Sequence, residues 1–352
     1  MQSLFTSVGP YVTHYLQGGE GPPVVLLHGG GSDSRQWLPN LEALARHHLV
    51  YAPDLRPEET NQYNVLAEPF YHQAFSSLLD APDREAWYAD YPLDVAPPGD
   101  DRPFFGHFFK WSQAGQVMAE LGKTWQPFGG AGYFVLLALL ALALVAAAVI
   151  ILLPLFVVRR SGREQTGRPA SSPAAKPPPL LATAGYFGLL GLGFLLVEIP
   201  LIQHFILFLG HPAYALTTVL FALLFFSGVG SVLAQRFPAR LTLGMLALLT
   251  LAYPLLLRPL FAAALGLPFA GRVVVAVLVL APAGLLMGTA FPNGLRRLEA
   301  RAPQRIAWAW GINGAASVVA SVMAALLALS FGFSWVLVAG ALCYAGAWAL
   351  FR

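Results

Sequence analysis

Residues 131–158 read AGYFVLLALLALALVAAAVIILLPLFVV, 28 positions without a single Asp, Glu, Lys or Arg. At 1.5 Å per helical residue, about 20 such positions cross the roughly 30 Å hydrocarbon layer of a bilayer. The run is apolar on every side, whereas a helix on the surface of a soluble domain carries an apolar stripe on one side only. The same criteria mark six further stretches: Leu181–Leu209, Tyr214–Ala234, Leu241–Leu265, Val273–Phe291, Ile312–Ser330 and Phe333–Leu350. The expected fold class is an α-helical multi-pass bundle of about seven spans, preceded by a small, incomplete α/β soluble region. The composition of the 352 residues agrees, with 57% hydrophobic and 11% charged, against roughly 25% charged in ordinary soluble domains.

Charge divides at the first span. Residues 1–130 hold 7 Lys and Arg against 15 Asp and Glu, and residues 131–352 hold 14 against 3. The surplus of cations belongs to membrane-flanking loops rather than to a polar basic face, so nucleic acid is not an expected partner. Lipid is. Arg159, Arg160, Arg163, Arg168 and Lys176, then Arg236 and Arg240, then Arg296, Arg297, Arg301 and Arg305, and finally Arg352, all fall on one side of the alternating spans. Only Arg258 and Arg272 fall on the other. The positive-inside rule therefore predicts cytoplasmic basic loops and a cytoplasmic C-terminus in the cell membrane. With seven spans this puts residues 1–130 outside, although the first sixteen residues do not read as a secretory signal.

Five parts are expected: 1–57, 58–130, a first span at 131–158, a basic Pro-rich linker at 159–180, and a six-span bundle at 181–352. Cys343 stands alone, so neither a disulfide nor a multi-Cys metal site is expected, and no cofactor or metal is. The residues do not indicate an oligomeric state.

Within residues 1–57, PPVVLL leads into His28, Gly29, Gly30 and Gly31. A helix-like stretch carrying Trp37, Leu41, Leu44 and Ala45 on one face follows, and then LVYAPDL. Strand, glycine loop, helix and strand make the opening of a parallel α/β unit. The segment resembles the start of the α/β-hydrolase fold, in which the glycine loop turns its N–H groups toward a developing oxyanion. The resemblance implies that role for His28, Gly29, Gly30 and Gly31. Such an enzyme needs a Gly-x-Ser-x-Gly elbow downstream. The chain has none: Ser76, Ser77 and Ser112 lack the flanking glycines, and His28, His47 and His48 precede the place of a nucleophile. A hydrolase fragment without its catalytic half is expected.

From residue 58 the texture changes. Asp100-Asp101-Arg102-Pro103, FLLVEIPLIQHFILFLGHPAYAL at 194–216, SGVGS at 227–231, LLMGTAFPNGLRR at 285–297 and WAWGINGAASVVAS at 308–321 together resemble membrane-bound spermidine-synthase-like proteins over about 290 residues. The resemblance implies a polyamine aminopropyltransferase-like chemistry, with a polyamine or other small cation as ligand. The glycine loop that such a transferase uses for its nucleotide-derived donor is not found ahead of Asp100. A binding or transport module is therefore the first expectation, a transferase completed by another chain the second, and a hydrolase the third.

Ionisable groups at membrane depth usually mark a site. Glu198 leads the ligand candidates, with Gln203 and His204 within two turns and a helix break favoured at Pro200; Asp100 and Asp101 complete the set, unless they form a turn or cap. Arg258 is expected to snorkel to the headgroups, Asn313 to cap a helix start, and Gly284/Gly288 and Ser317/Ser321 to allow close helix contact. A reporter fused at Gln165 is expected to read cytoplasmic and one at Asp33 external; an external reading at Gln165 overturns the orientation.

Overall fold

The computed structural model describes residues 2–8, 11–28, 34–54, 77–115, 131–161 and 178–351. They fall into two compact units, Met1–Trp87 and Tyr88–Arg352. Pro57, where the two sequence textures meet, and most of the 159–180 linker lie outside the described residues.

The first unit is a four-stranded sheet. Strands β1 (Gln2–Val8) and β2 (Tyr11–Gly18) form an antiparallel hairpin. Strand β4 (Leu49–Pro53) pairs antiparallel with β2 and parallel with β3 (Pro23–Val25), giving the order β1-β2-β4-β3. Helix α1 (Leu38–Ala45) joins β3 to β4, which is the expected parallel unit. Leu41, Val50 and Ala52 are its fully buried residues, and Leu16, Trp37, Leu44 and Ala45 pack around them. The hairpin escaped the sequence reading. Its mark in the sequence is Gly9-Pro10, a dipeptide type that signals turns, between two runs rich in Thr, Val, Tyr and Phe, residue types that suit a half-buried strand.

A short helix, α2, spans Arg84–Asp90. Seven long apolar helices follow: α3 (Ala131–Ser161), α4 (Leu180–Leu209), α5 (Pro212–Leu233), α6 (Ala239–Ala264), α7 (Phe269–Arg301), α8 (Ile306–Phe331) and α9 (Phe333–Leu350). The chain is thus a multi-pass helical membrane protein with a small N-terminal sheet. Helices suit this setting because hydrocarbon offers no partner to a free N–H or C=O. Helix α4 is central, packed against α5, α7, α8 and α9, whereas α3 lies chiefly against α8 and little of its Gly132–Ile150 stretch is buried.

Close packing replaces the hydrophobic effect between such helices, and small residues permit it. SGVGS on α5 meets Gly284 and Gly288 on α7. Ser227 Oγ donates to the Gly284 carbonyl at 3.1 Å, while a Cβ on Gly288 would strike the Ser227 carbonyl and one on Gly230 the Leu285 carbonyl. On the other side of α4, Asn313 Nδ2 donates to Phe187 O at 3.0 Å and Ser317 Oγ to Gly191 O at 3.1 Å. A Cβ on Gly191 would run into the Asn313 carbonyl. Ser321, by contrast, bonds within its own helix.

Three expectations are corrected here. Helix α4 runs unbroken through Pro200; its neighbours hold the flanks, with Val197 set against Gly340, where a Cβ would approach Val197 Cγ2 to 2.7 Å. The span read as Val273–Phe291 does not end at Phe291, because α7 continues through Pro292 to Arg301 while Tyr186 Oη donates to Ala290 O at 2.7 Å and the Tyr186 and Phe187 rings close over Gly294. Asn313 is not a cap: α8 begins at Ile306, and Asn313 spends its amide on α4. At the basic end, Arg240 lies over Trp348 and Arg297 over Phe351, each 4.8 Å from the ring centroid.

Gly191→Ala is expected to destabilise the bundle by about 1–3 kcal/mol through overpacking, lowering Tm in detergent by several degrees. The same change at Gly228, where a Cβ meets nothing within 4 Å, is expected to leave Tm unchanged or raise it. Equal effects of the two substitutions would contradict the packing described.

Candidate functional site

A helix leaves its last four carbonyls and first four N–H groups without internal partners. Where α8 ends and α9 begins, only Gly332 intervenes, at φ +92°, a left-handed value that glycine takes without a Cβ penalty. The polar ends of both helices meet there, and the residues around Asp101 serve them. Asp101 Oδ1 accepts from Ser334 N at 2.9 Å and from Ser334 Oγ at 2.7 Å, and the Asp101 carbonyl accepts from Phe333 N at 2.9 Å. Arg102 Nε donates to Leu329 O at 2.7 Å, and its Nη2 donates to Asp94 at 2.6 Å. Trp111 Nε1 reaches Ser330 Oγ at 3.3 Å, and Tyr133 Oη shares that hydroxyl at 3.0 Å. The Asp101-Arg102 pair therefore caps two helices more than 200 residues downstream.

That capping holds the carboxylates over the end of α4. A cavity of about 260 Å³ opens there, walled by Asp100, Asp101, His204, Arg258, Phe208 and Phe261 among others. The Phe208 and Phe261 rings stack at 4.5 Å and close its apolar side. Arg272 Nη1 donates to Phe208 O at 2.9 Å, settling one open carbonyl at the α4 terminus, where cations are favoured. His204 Nε2 lies 3.9 Å from Asp101 Oδ1, is buried, and has no hydrogen-bond partner among the described residues. Nearby, outside the spans, burial and the Arg102 guanidinium hold His107 below the ordinary histidine range, opposed by Asp94.

Of the residues singled out from sequence, Asp100, Asp101 and His204 converge on this cavity, although about a hundred residues separate the pair from His204. Arg258, which is exposed, joins them. Glu198 does not. It precedes His204 by six residues, about 9 Å along the helix axis and on a different face. It is 7% exposed, and no hydrogen bond or ion pair reaches it among the described residues. Gln203 is half-buried and lies outside the cavity wall. The cavity offers two carboxylates, one imidazole and one guanidinium, which suits electrostatic recognition of a small cation. Among the described residues no group of three His, Cys, Asp or Glu could hold a metal ion.

In the first unit, His28 is buried, and Gly29, Gly30 and Gly31 lie outside the described residues. Beyond that loop, Asp54 accepts from Ser34 N at 2.5 Å and pairs with His14 Nδ1. Burial pushes the Asp54 carboxyl up, but the Ser34 and His14 hydrogen bonds outweigh it and hold the group below the usual carboxylate range. Neither His14 nor Asp54 stood out in the sequence, because their pairing depends on the β1–β2 hairpin.

No protein-family model matches the chain, and no solved structure does. Two short stretches in its N-terminal part are similar to α/β hydrolases. Over 54 residues the chain is 41% identical to a 2-hydroxy-6-oxo-6-(2'-aminophenyl)hexa-2,4-dienoic acid hydrolase of Metapseudomonas resinovorans, a match that covers 14% of this chain and 19% of that protein. Over 42 residues it is 40% identical to an (E)-2-((N-methylformamido)methylene)succinate hydrolase of Acinetobacter baylyi, covering 12% and 16%. The chain spans less than a fifth of the length of these curated relatives.

Proposed function

We propose that the helical bundle belongs to a spermidine-synthase-like membrane protein and that its cavity binds a small organic cation of the polyamine class. The observation that supports this reading is the convergence of Asp100, Asp101 and His204 on one cavity at the end of α4. Carboxylates attract alkylammonium groups through charge-assisted hydrogen bonds, and the stacked Phe208 and Phe261 supply an apolar wall for the methylene stem between amines. With the basic loops placed in the cytoplasm by the positive-inside rule, the cavity opens on the outer side, beside Arg258 and Arg272. Glu198, buried and without a hydrogen-bond or ion-pair partner among the described residues, is the candidate for a second station inside the membrane.

A hydrolase is the second reading, favoured by the two short N-terminal similarities. It predicts ester turnover that falls when the glycine loop at His28 is altered. A transferase completed by another chain predicts release of methylthioadenosine when aminopropyl donor and polyamine are supplied.

The direct test is spermidine binding to the full chain in nanodiscs, measured by calorimetry. Asp100→Asn is expected to weaken binding by about tenfold, and Arg258→Gln, which removes a like charge, to strengthen it several-fold. Asp101 is unsuitable for this purpose because it also caps α9. Absence of saturable binding, or equal affinities in both variants, overturns the proposal. If the ligand is also moved across the bilayer, flux into proteoliposomes falls in Glu198→Gln while binding persists.

A further inference from the structure

The first unit contains a hydrogen-bonded chain of three side chains that the cation-binding reading does not use. Ser3 Oγ lies 2.7 Å from His14 Nε2. On the opposite edge of the same imidazole, Nδ1 pairs with Asp54 Oδ2. The other Asp54 oxygen is fixed by the Ser34 N–H. A nucleophile within hydrogen-bond reach of a base, and a base oriented by a third group, is the general signature of an activated hydroxyl. Such a set is recognised by geometry and role, not by position in the chain. We propose that Ser3, His14 and Asp54 form a nucleophilic relay that accepts acyl groups from small activated esters.

The placement follows from the sheet. Ser3 and Phe5 alternate with Leu4 along β1 and so share one face, and His14 stands opposite Phe5 on β2. Asp54 follows the last residue of β4, and its N–H donates to the His14 carbonyl at 2.7 Å. Two strand pairings therefore set the spacing of all three groups, and side chains on strands are held more firmly than on loops. The bond to Asp54 directs the Nδ1 proton to the carboxylate, leaving the Nε2 lone pair facing the Ser3 hydroxyl. Retention of negative charge on Asp54 serves the same end, since it stabilises the imidazolium that forms during attack.

The substrate class follows from the surroundings. Ser3 is exposed, while the side chains of His14 and Asp54 are each about one quarter exposed, so the hydroxyl is open to a solute and its base is partly shielded. The Phe5 ring lies 5.0 Å from the His14 ring, and Val12 stands on the same face of β2. Both are largely exposed and form an apolar flank for a short acyl or aryl group. Among the described residues strand β1 is the edge of the sheet, so the N–H groups on its open side have no strand partner there and face a prospective oxyanion.

The reaction balances with water as the second substrate. Ser3 Oγ attacks the ester carbonyl carbon, its proton passes to His14 Nε2, and the carbonyl π pair moves onto oxygen. When that pair returns, the bond to the alcohol breaks and the leaving oxygen takes the proton from Nε2. Water then attacks the acyl-Ser3 by the same path, giving up its proton to His14. Collapse releases the acid and restores the Ser3 hydroxyl. Neither the chain order Ser, His, Asp nor the strand positions match the elbow arrangement of the hydrolases that the N-terminal part resembles, so this relay is separate from the missing elbow.

The test uses the full chain in nanodiscs and a fluorophosphonate probe, with the labelled site mapped by peptide mass spectrometry. Labelling is expected to be saturable, to approach one probe per chain, and to fall on Ser3. Ser3→Ala is expected to abolish it, and His14→Gln to slow it by about a hundredfold with the melting temperature retained. Hydrolysis of p-nitrophenyl acetate should fall in parallel. Mapping on the unaltered protein decides the matter even if a variant fails to fold. Labelling of Ser3 no faster than that of the other serines shows a structural hydrogen-bond chain only and overturns the proposal, as does a label mapped elsewhere.

Discussion

A helix that ends in or near lipid must find partners for its open backbone groups, and the tightest instance in this protein lies between α8 and α9. Two helix ends meet across Gly332 alone, with unpaired carbonyls on one side and unpaired N–H groups on the other. Asp101 answers the N–H groups of Phe333 and Ser334, and Arg102 the Leu329 carbonyl. Within this unit, that exchange ties the segment ahead of α3 to the end of the bundle and fixes the height and direction of Asp100 and Asp101 over His204. The capping contact and the proposed binding site thus share Asp101, flanked by Arg102 in the cap and by Asp100 in the site. A cap held on both sides also explains how carboxylates on a segment without long helices can be kept in place, since a free loop would lose its orientation to conformational entropy.

The interior of the bundle obeys a related constraint. Burial of apolar side chains gains little when the surroundings are also apolar, so α4 is held by shape and by hydrogen bonds donated to its carbonyls. Asn313 and Ser317 from α8, and Arg272 from α7, donate to successive levels of α4. Glycines lie where these helices cross. Glu198 sits buried in the same central helix without such a partner among the described residues, which is why it remains a functional candidate.

Hydropathy made the seven helices legible, because a run apolar on all sides has few other solutions. The details that were misread share one cause: Pro200, Pro292 and Asn313 carry local signals for a break, a span end and a cap, and in each case a neighbouring helix supplies contacts that outweigh the local signal. The convergence of Asp100 and Asp101 with His204 could not be read at all, since no spacing links them and only the helix ends bring them together. In the first unit, Leu41 was legible through the helical face it shares with Trp37, Leu44 and Ala45, and LVYAPDL as a strand, while the burial of Val50 and Ala52 came only with the fold. The β1–β2 hairpin was not, and with it His14 went unnoticed.

The geometry at the end of α4 is best examined by cryo-electron microscopy of the full chain in lipid nanodiscs, with spermidine at saturating concentration. Elongated density is expected in the cavity, one terminal amine within hydrogen-bond distance of Asp100 and Asp101, with the Asp101–Ser334 and Arg102–Leu329 contacts intact. An empty cavity beside intact helix caps, or a ligand bound elsewhere, contradicts the assignment of that cavity as the binding site.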